Sequence, residues 1–252
     1  MNEKQKPRQA ATVILLRRPH QGGIEVLLTR RPEKMAFLGG MYCFPGGTVR
    51  KEDVSPEALR RCHGLSPAAA RKIVGSHFSP REALGLWVAA IRELFEEVGV
   101  LLAVKDNGEP AVPAANLYSR FTKRDQPGAP ESTFISFLET ENLRYDASQL
   151  VYFSHWQTPA QFKMRFDTRF YLGALPEGQQ PLSSSAEVSQ SIWLSPDRAL
   201  NMFTQNNFPM IFPTFASLRT LADFNSLEAV FAEFRTPALT SDDGAPAGAL
   251  RG

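Results

Sequence analysis

Cysteine is scarce: only Cys43 and Cys62 occur in 252 residues. That excludes a disulfide framework and fits a reducing compartment. Long apolar runs are also missing, since stretches such as Val13-Ile14-Leu15-Leu16 fall far short of the ~20 residues a membrane span needs. Charge of one sign is not in excess either. Lys and Arg number 28 against 26 Asp and Glu, a net of +2, which argues against a dedicated nucleic-acid binder. The first residues, Met1-Asn2-Glu3-Lys4-Gln5-Lys6-Pro7, lack the apolar segment of a secretory signal. The expectation is a cytoplasmic protein with no membrane partner. What is present is ordinary globular composition, 43% hydrophobic and 21% charged, enough to build a core.

Residues 11–17 and 24–30 are apolar, β-branched runs separated by Gly22-Gly23, the pattern of a β-hairpin or of two adjacent strands. A stretch rich in glycine and proline follows and ends in Phe44-Pro45-Gly46-Gly47, a sharply shaped loop. From about 55 to 104 the character turns helical. Ser66-Pro67 and Ser79-Pro80 each place a capping residue before a proline at the first helical position, and Glu82 completes a capping box with Ser79. The helix beginning there carries Leu84, Val88, Ile91, Phe95 and Val98 on one stripe and should stop at Gly99. Further strands are expected at 133–138, 150–154, 166–174 and 190–194, and helices after Ser195, near 209–222 and near 226–235. The domain expected spans 9–236, with a helical insertion at about 54–80 and a helical C-terminal extension at about 196–236. Residues 237–252, rich in Ala, Pro, Gly, Ser and Asp, read as a loose tail.

One turn of the long helix carries chemistry: Arg92-Glu93-Leu94-Phe95-Glu96-Glu97-Val98-Gly99-Val100. Glu93, Glu96 and Glu97 are three and four residues apart, so their carboxylates share one side, where like charges repel. Arg92 stands four before Glu96 and can pair with it. Clustered carboxylates suit Mg²⁺ or Mn²⁺, hard ions that take oxygen ligands and bridge to phosphates. The other reading of such a turn is a solvated acidic face.

Together with Gly47, this run resembles the Nudix box, GX5EX7REUXEEXGU with U aliphatic. Arg92, Glu93, Glu96, Glu97 and Gly99 match, as do Leu94 and Val100 at the aliphatic positions. The first half departs: Asp53 stands where the pattern has glutamate, and 38 residues separate it from Arg92 where the pattern has 7. Upstream, Leu27-Leu28-Thr29-Arg30-Arg31 leads through Gly40 to Phe44-Pro45-Gly46-Gly47. It is similar to the motif of Nudix hydrolases that act on coenzyme A, with Pro32 and Ala36 replacing a small residue and an arginine. The interrupted box, the Met35–Tyr42 segment and Arg165-Phe166-Asp167-Thr168-Arg169-Phe170 look like the peroxisomal coenzyme A diphosphatase branch. The final Leu250-Arg251-Gly252 is not a Ser-Lys-Leu address, so that location is not carried over.

The resemblance implies an α/β/α sandwich, a mixed sheet between helices. It also implies hydrolysis of a nucleoside diphosphate linked to another moiety, with coenzyme A or acyl-CoA giving 3′,5′-ADP and 4′-phosphopantetheine. The other readings are ADP-ribose, NADH, a dinucleotide or a nucleotide sugar as substrate, or a non-catalytic sensor of Nudix fold. By position, Glu96 and Glu97 would hold Mg²⁺ or Mn²⁺, with Glu93 a third ligand or the base that orients water. The Gly47 carbonyl could add an oxygen, and Arg92 would orient a glutamate. Glu187 lies where some family members place a further acid, although a solvated loop glutamate is the simpler reading. Arg30, Arg31, Gly46 and Gly47 are the candidates for substrate contact. Of the basic pairs Arg17-Arg18, Arg30-Arg31, Arg60-Arg61 and Arg71-Lys72, one could grip a 3′-phosphate. His20, His63, His77 and His155 share no metal-ligand spacing. Phe166, Phe170 and Tyr171 read as core, and Arg165 with Asp167 as a structural pair. The partner expected is a small-molecule nucleotide, with a homodimer as the possible assembly.

Overall fold

The computed structural model describes residues 6–20, 22–35, 37–111, 116–122 and 133–235. Its main sheet is built on β1 (Arg8–Arg17) and β2 (Glu25–Arg30), the expected hairpin, antiparallel with Leu16 opposite Val26. β3 (Tyr42–Cys43) pairs with β2, and β4 (Gly46–Thr48) takes the other end of the same β1 edge, with Gly47 opposite Ala11. The opposite edge of β1 runs parallel to β9 (Phe166–Ala174), and β8 (Leu150–Gln157) and β10 (Gln190–Leu194) close the two sides. The strand order β10-β2-β1-β9-β8, with one parallel pair, is the mixed sheet expected. A small second sheet orders β5 (Cys62–His63), β7 (Leu143–Asp146) and β6 (Ala103–Lys105).

The run Val13–Leu16 is continuous rather than alternating because both faces of β1 are covered. Val13 and Leu15 pack with α3 (Pro80–Val98), whereas Ile14 and Leu16 pack with α6 (Pro196–Thr204), α7 (Phe212–Leu221) and α8 (Leu227–Phe234). The helices after Ser195 therefore form the second face of the sandwich. Residues 237–252 lie outside the described residues. No helix among the described residues is long and apolar enough to cross a membrane.

The excursion inside the box holds a 3₁₀ turn (Glu52–Val54), α1 (Pro56–Arg60), β5 and α2 (Pro67–Val74). Its two ends are tied together. Arg81, in the first turn of α3, donates to the Val54 carbonyl at 2.6 and 3.2 Å, and Val54 packs so closely under Gly85 that a Cβ there would stand 2.4 Å from its Cγ1. One expectation fails. Residues 133–138 are not a strand but lie in α5 (Phe134–Thr140), capped by Thr133, whose hydroxyl accepts from Ser136 N at 3.2 Å. Phe134, Phe137 and Leu138 are buried at helical spacing against Phe95, so tertiary packing decides a short apolar run that suits either structure. α4 (Leu117–Thr122) packs Tyr118 and Phe121 on the same ring.

Candidate active site

α3 delivers the acidic turn, and its ends are set by the sequence. The Ser79 hydroxyl accepts from Glu82 N at 3.3 Å while the Glu82 carboxylate accepts from Ser79 N at 2.8 Å. Gly99 ends the helix at φ 73°, a left-handed conformation that favours glycine. Leu84, Val88, Ile91, Phe95 and Val98 are buried, as their spacing requires. The acidic side is not solvated. Glu93 and Glu97 are only 6% and 5% exposed, and Arg92 is 0%.

Arg92 organises this side, with all five of its N–H groups engaged. Nε and Nη2 clamp the two Asp53 oxygens at 2.8 and 2.9 Å, and Nη2 also donates to the Thr48 carbonyl at 3.0 Å. Nη1 donates to Glu93 Oε1 at 2.7 Å and to Glu96 Oε2 at 2.9 Å. Asp53, which stands at the pattern's first glutamate position in sequence, is thus brought back onto Arg92 although 38 residues intervene. Burial opposes the Arg92 charge, but Asp53, Glu93 and Glu96 outweigh it and hold the guanidinium protonated.

The glycine loop meets the helix here. A Cβ on Gly47 would lie 2.6 Å from the Glu93 carboxyl, so a larger residue on β4 would displace that carboxylate. Gly46 N donates to Glu97 Oε2 at 3.2 Å. Among the described residues, no lysine or arginine lies within 4.0 Å of the Glu97 carboxylate. Its pKa is pushed well above the usual carboxylate range, first by burial and then by the Glu93 charge. The Gly46 N–H and Arg31 pull it down, and Glu187 adds to the rise. Glu93 is also raised, by burial that Arg92 only partly offsets.

The structure thus brings Gly46, Gly47, Arg92, Glu93, Glu96 and Glu97 together, with Arg31 and the exposed Glu187 close enough to act electrostatically on Glu97. Arg30 instead holds its own loop, donating to the Gly40 carbonyl and to Glu33 at 3.2 and 2.6 Å. Ala36 lies outside the described residues. Arg17, Arg18, Arg60 and Arg61 pair with Glu25, Glu228, Glu57 and Asp106 respectively. Asp167 is held by Arg169, His155 and Gln9, and Phe170 and Tyr171 are core. Burial drives the Cys43 thiol up to about 11, as expected for a thiol that is no nucleophile.

Arg50 is the residue that spacing does not reveal. It grips both Glu96 oxygens at 3.0 and 2.9 Å and stands 4.0 Å from Glu93. Nothing in a 46-residue separation signals that pair. Among the described residues, no three acidic, histidine or cysteine side chains form a ready-made metal cluster. Yet the donor set fits a hard divalent ion: every donor is oxygen, and Glu97 is a buried carboxylate whose only described hydrogen-bond donor is a backbone N–H.

The fold is that of Nudix hydrolases. A NUDIX hydrolase crystal structure from Alicyclobacillus acidocaldarius matches with a TM-score of 0.75 and 27% identity, covering 91% of this chain and 97% of that one. Residues 7–221 match the model of the NUDT19 Nudix domain, and the chain belongs to that family. It is 30% identical to "Acyl-coenzyme A diphosphatase NUDT19" of Gallus gallus, over 87% of this chain and 69% of the relative. The Homo sapiens protein of the same name is 28% identical over 84% of this chain, which spans 64% of its length. The resemblance read from Gly47 and Arg92–Val100 is borne out.

Proposed function

We propose that this chain hydrolyses the pyrophosphate bond of coenzyme A or an acyl-CoA with Mg²⁺ or Mn²⁺, releasing 3′,5′-ADP and 4′-phosphopantetheine. The observation that carries this reading is the imbalance of charge beside the Gly46-Gly47 loop. Four carboxylates, those of Asp53, Glu93, Glu96 and Glu97, gather around two guanidinium groups, those of Arg92 and Arg50. The names of the chicken and human relatives supply the substrate class.

Glu96 and Glu97 would hold the metal, with Glu93, the Gly47 carbonyl and Glu187 as further oxygens within the same neighbourhood. A bound divalent ion would neutralise the diphosphate, which otherwise repels an incoming nucleophile. Arg92 is too buried to touch substrate and acts as a positioning residue, fixing Glu93 and Glu96 in one geometry. Glu93, held by Arg92 Nη1 beside Gly47, would serve as a third ligand or as the base that orients the attacking water. Arg31, already within electrostatic reach of Glu97, is placed to meet a phosphate. The protein acts on a small-molecule nucleotide in this reading and resides in the cytoplasm.

Incubation with Mg²⁺ or Mn²⁺ and a panel of CoA, acetyl-CoA, ADP-ribose, NADH, a diadenosine polyphosphate and dNTPs tests it, with Glu97→Gln protein alongside. 3′,5′-ADP from CoA, absent with the variant, is the expected result. Hydrolysis of another member alone keeps the mechanism and discards CoA. Silence across the panel removes CoA and leaves a substrate outside the panel, such as a nucleotide sugar, or a ligand sensor.

A further inference from the structure

Glu96 is the carboxylate of the cluster that two different guanidinium groups grip. Arg50 Nη1 and Nη2 donate to its two oxygens in a fork at 3.0 and 2.9 Å, and Arg92 Nη1 adds a third bond to Oε2. The two arginines are held very differently. The Arg92 side chain is 1% exposed and clamped by Asp53 and Thr48, so it cannot leave. The Arg50 side chain is 45% exposed. Besides Glu96, its charged contacts among the described residues are a 3.5 Å contact to Glu52 and a 4.0 Å approach to Glu93. Its backbone is fixed, because Arg50 N donates to Asp53 Oδ2 at 2.7 Å, but its long side chain reaches the carboxylates from the solvent side.

We propose that Arg50 is an exchangeable counter-cation that competes with the divalent metal for Glu96. The proposal rests on the metal reading given above. Three of the roughly four lone-pair sites of this carboxylate are taken by charge-assisted bonds, so a small hard cation that engages both oxygens does so at the expense of some of them. Arg92 has no freedom to move, so the bonds given up are those of Arg50. Arg50 and the metal neutralise the same charge, and one must yield to the other. The released guanidinium remains tethered through its backbone to Asp53, positive and open to solvent. Bidentate pairing with phosphate oxygens is then open to it in place of Glu96.

Calorimetric titration of Mn²⁺ and Mg²⁺ into wild-type, Arg50→Ala and Arg50→Lys protein, without substrate, tests the competition. Arg50→Ala should bind metal roughly three- to tenfold more tightly, the scale of a half-exposed charge-assisted pair. Its melting temperature in EDTA should fall relative to wild type, because Glu96 loses one of its two counter-charges and keeps only Arg92. Arg50→Lys keeps the charge without the fork and should lie between the two in affinity. If wild type binds Mn²⁺ and Arg50→Ala binds it no more tightly, the competition is refuted while the metal site stands. If no variant binds either ion, the metal reading fails and takes this proposal with it.

Discussion

Two buried ionic clusters flank the same face of the sheet, and they differ in charge balance. Beside β4, the carboxylates of Asp53, Glu93, Glu96 and Glu97 gather around Arg92 and Arg50, with Glu97 outside any described ion pair. At the same end of β1 but across its other edge, where Arg169 stands opposite Ala11 as Gly47 does on the first, Asp167 meets a single fully buried arginine, Arg169, with Gln9, His155 and His77 completing the hydrogen bonds. The second cluster closes on itself and has no need of an outside cation. The first holds more carboxylates than guanidinium groups, and the unpaired one, Glu97, is buried where water screens it little. A buried charge is tolerated when paired; the unpaired one marks where an external partner belongs.

The largest expected effect breaks the unbalanced cluster. Glu97→Gln should lower kcat on CoA by about 10²-fold or more, the scale of metal and acid–base contributions. The fold should survive, since the variant removes a buried like charge. Steady-state release of 3′,5′-ADP, with a circular dichroism melt in EDTA as control, checks both halves. Activity within a few-fold of wild type would remove Glu97 from the metal site.

Breaking the balanced cluster should do the reverse. Arg169→Met leaves Asp167 without its guanidinium and should cost about 2 kcal/mol of stability, below the full cost of a buried pair because Asp167 borders solvent. Metal affinity should not change. A denaturant melt and a Mn²⁺ titration separate the two, and a loss of metal affinity in the folded variant would make the clusters one system.

How much of this was legible in the sequence follows the range of the interactions. The helix that carries the site was readable from Ser79 to Gly99, because caps and the apolar stripe act over three or four residues. The pairing of Arg92 with Glu96 was readable for the same reason. Asp53 could be placed only by its distance from Gly47 in the family pattern, since its partner is 39 residues away. Arg50 offered no signal at all: an exposed arginine in a loop looks the same whether it faces water or Glu96. Residues 133–138 failed differently. Phe134, Phe137 and Leu138 have helical spacing, and Thr133 is a competent cap, but the run is short enough to satisfy a strand as well.

The two clusters should also respond to pH with opposite sign. The Glu97 pKa is raised on folding, so the folded protein holds a proton the unfolded chain has released. Stability without metal is therefore lost as pH rises above the unfolded value near 4.5 towards the folded value. In EDTA, the melting temperature of Glu97→Gln minus that of wild type should grow across that window. Asp167 is lowered: burial pushes it up, but Gln9, His155 and Arg169 outweigh this. Its contribution is present above 3.8 and disappears as pH falls through the lower folded value. Paired melts of Asp167→Asn and wild type across the acid range should converge towards low pH. Divergence there would reverse the sign assigned to the balanced cluster.

The smallest effect concerns the edge of the balanced cluster. Arg169 Nη2 lies 3.2 Å from His77 Nε2, and arginine has no acceptor, so the guanidinium donates and the imidazole nitrogen accepts. His77 stands between α2 and α3, so this bond ties the excursion inside the box to β9. Arg169 Nε already has no described partner, and losing the His77 acceptor leaves a second donor of a buried guanidinium unmet. His77→Leu should therefore cost about 1 kcal/mol, or roughly 2–4 °C in melting temperature for a chain of this size. Because the bond lies outside the carboxylate cluster, Mn²⁺ affinity and kcat should stay within about twofold of wild type. A fall in kcat at unchanged stability would mean that the excursion is coupled to the acidic turn through more than Asp53 and Arg81. The separation of a closed structural cluster from an open chemical one would then no longer hold.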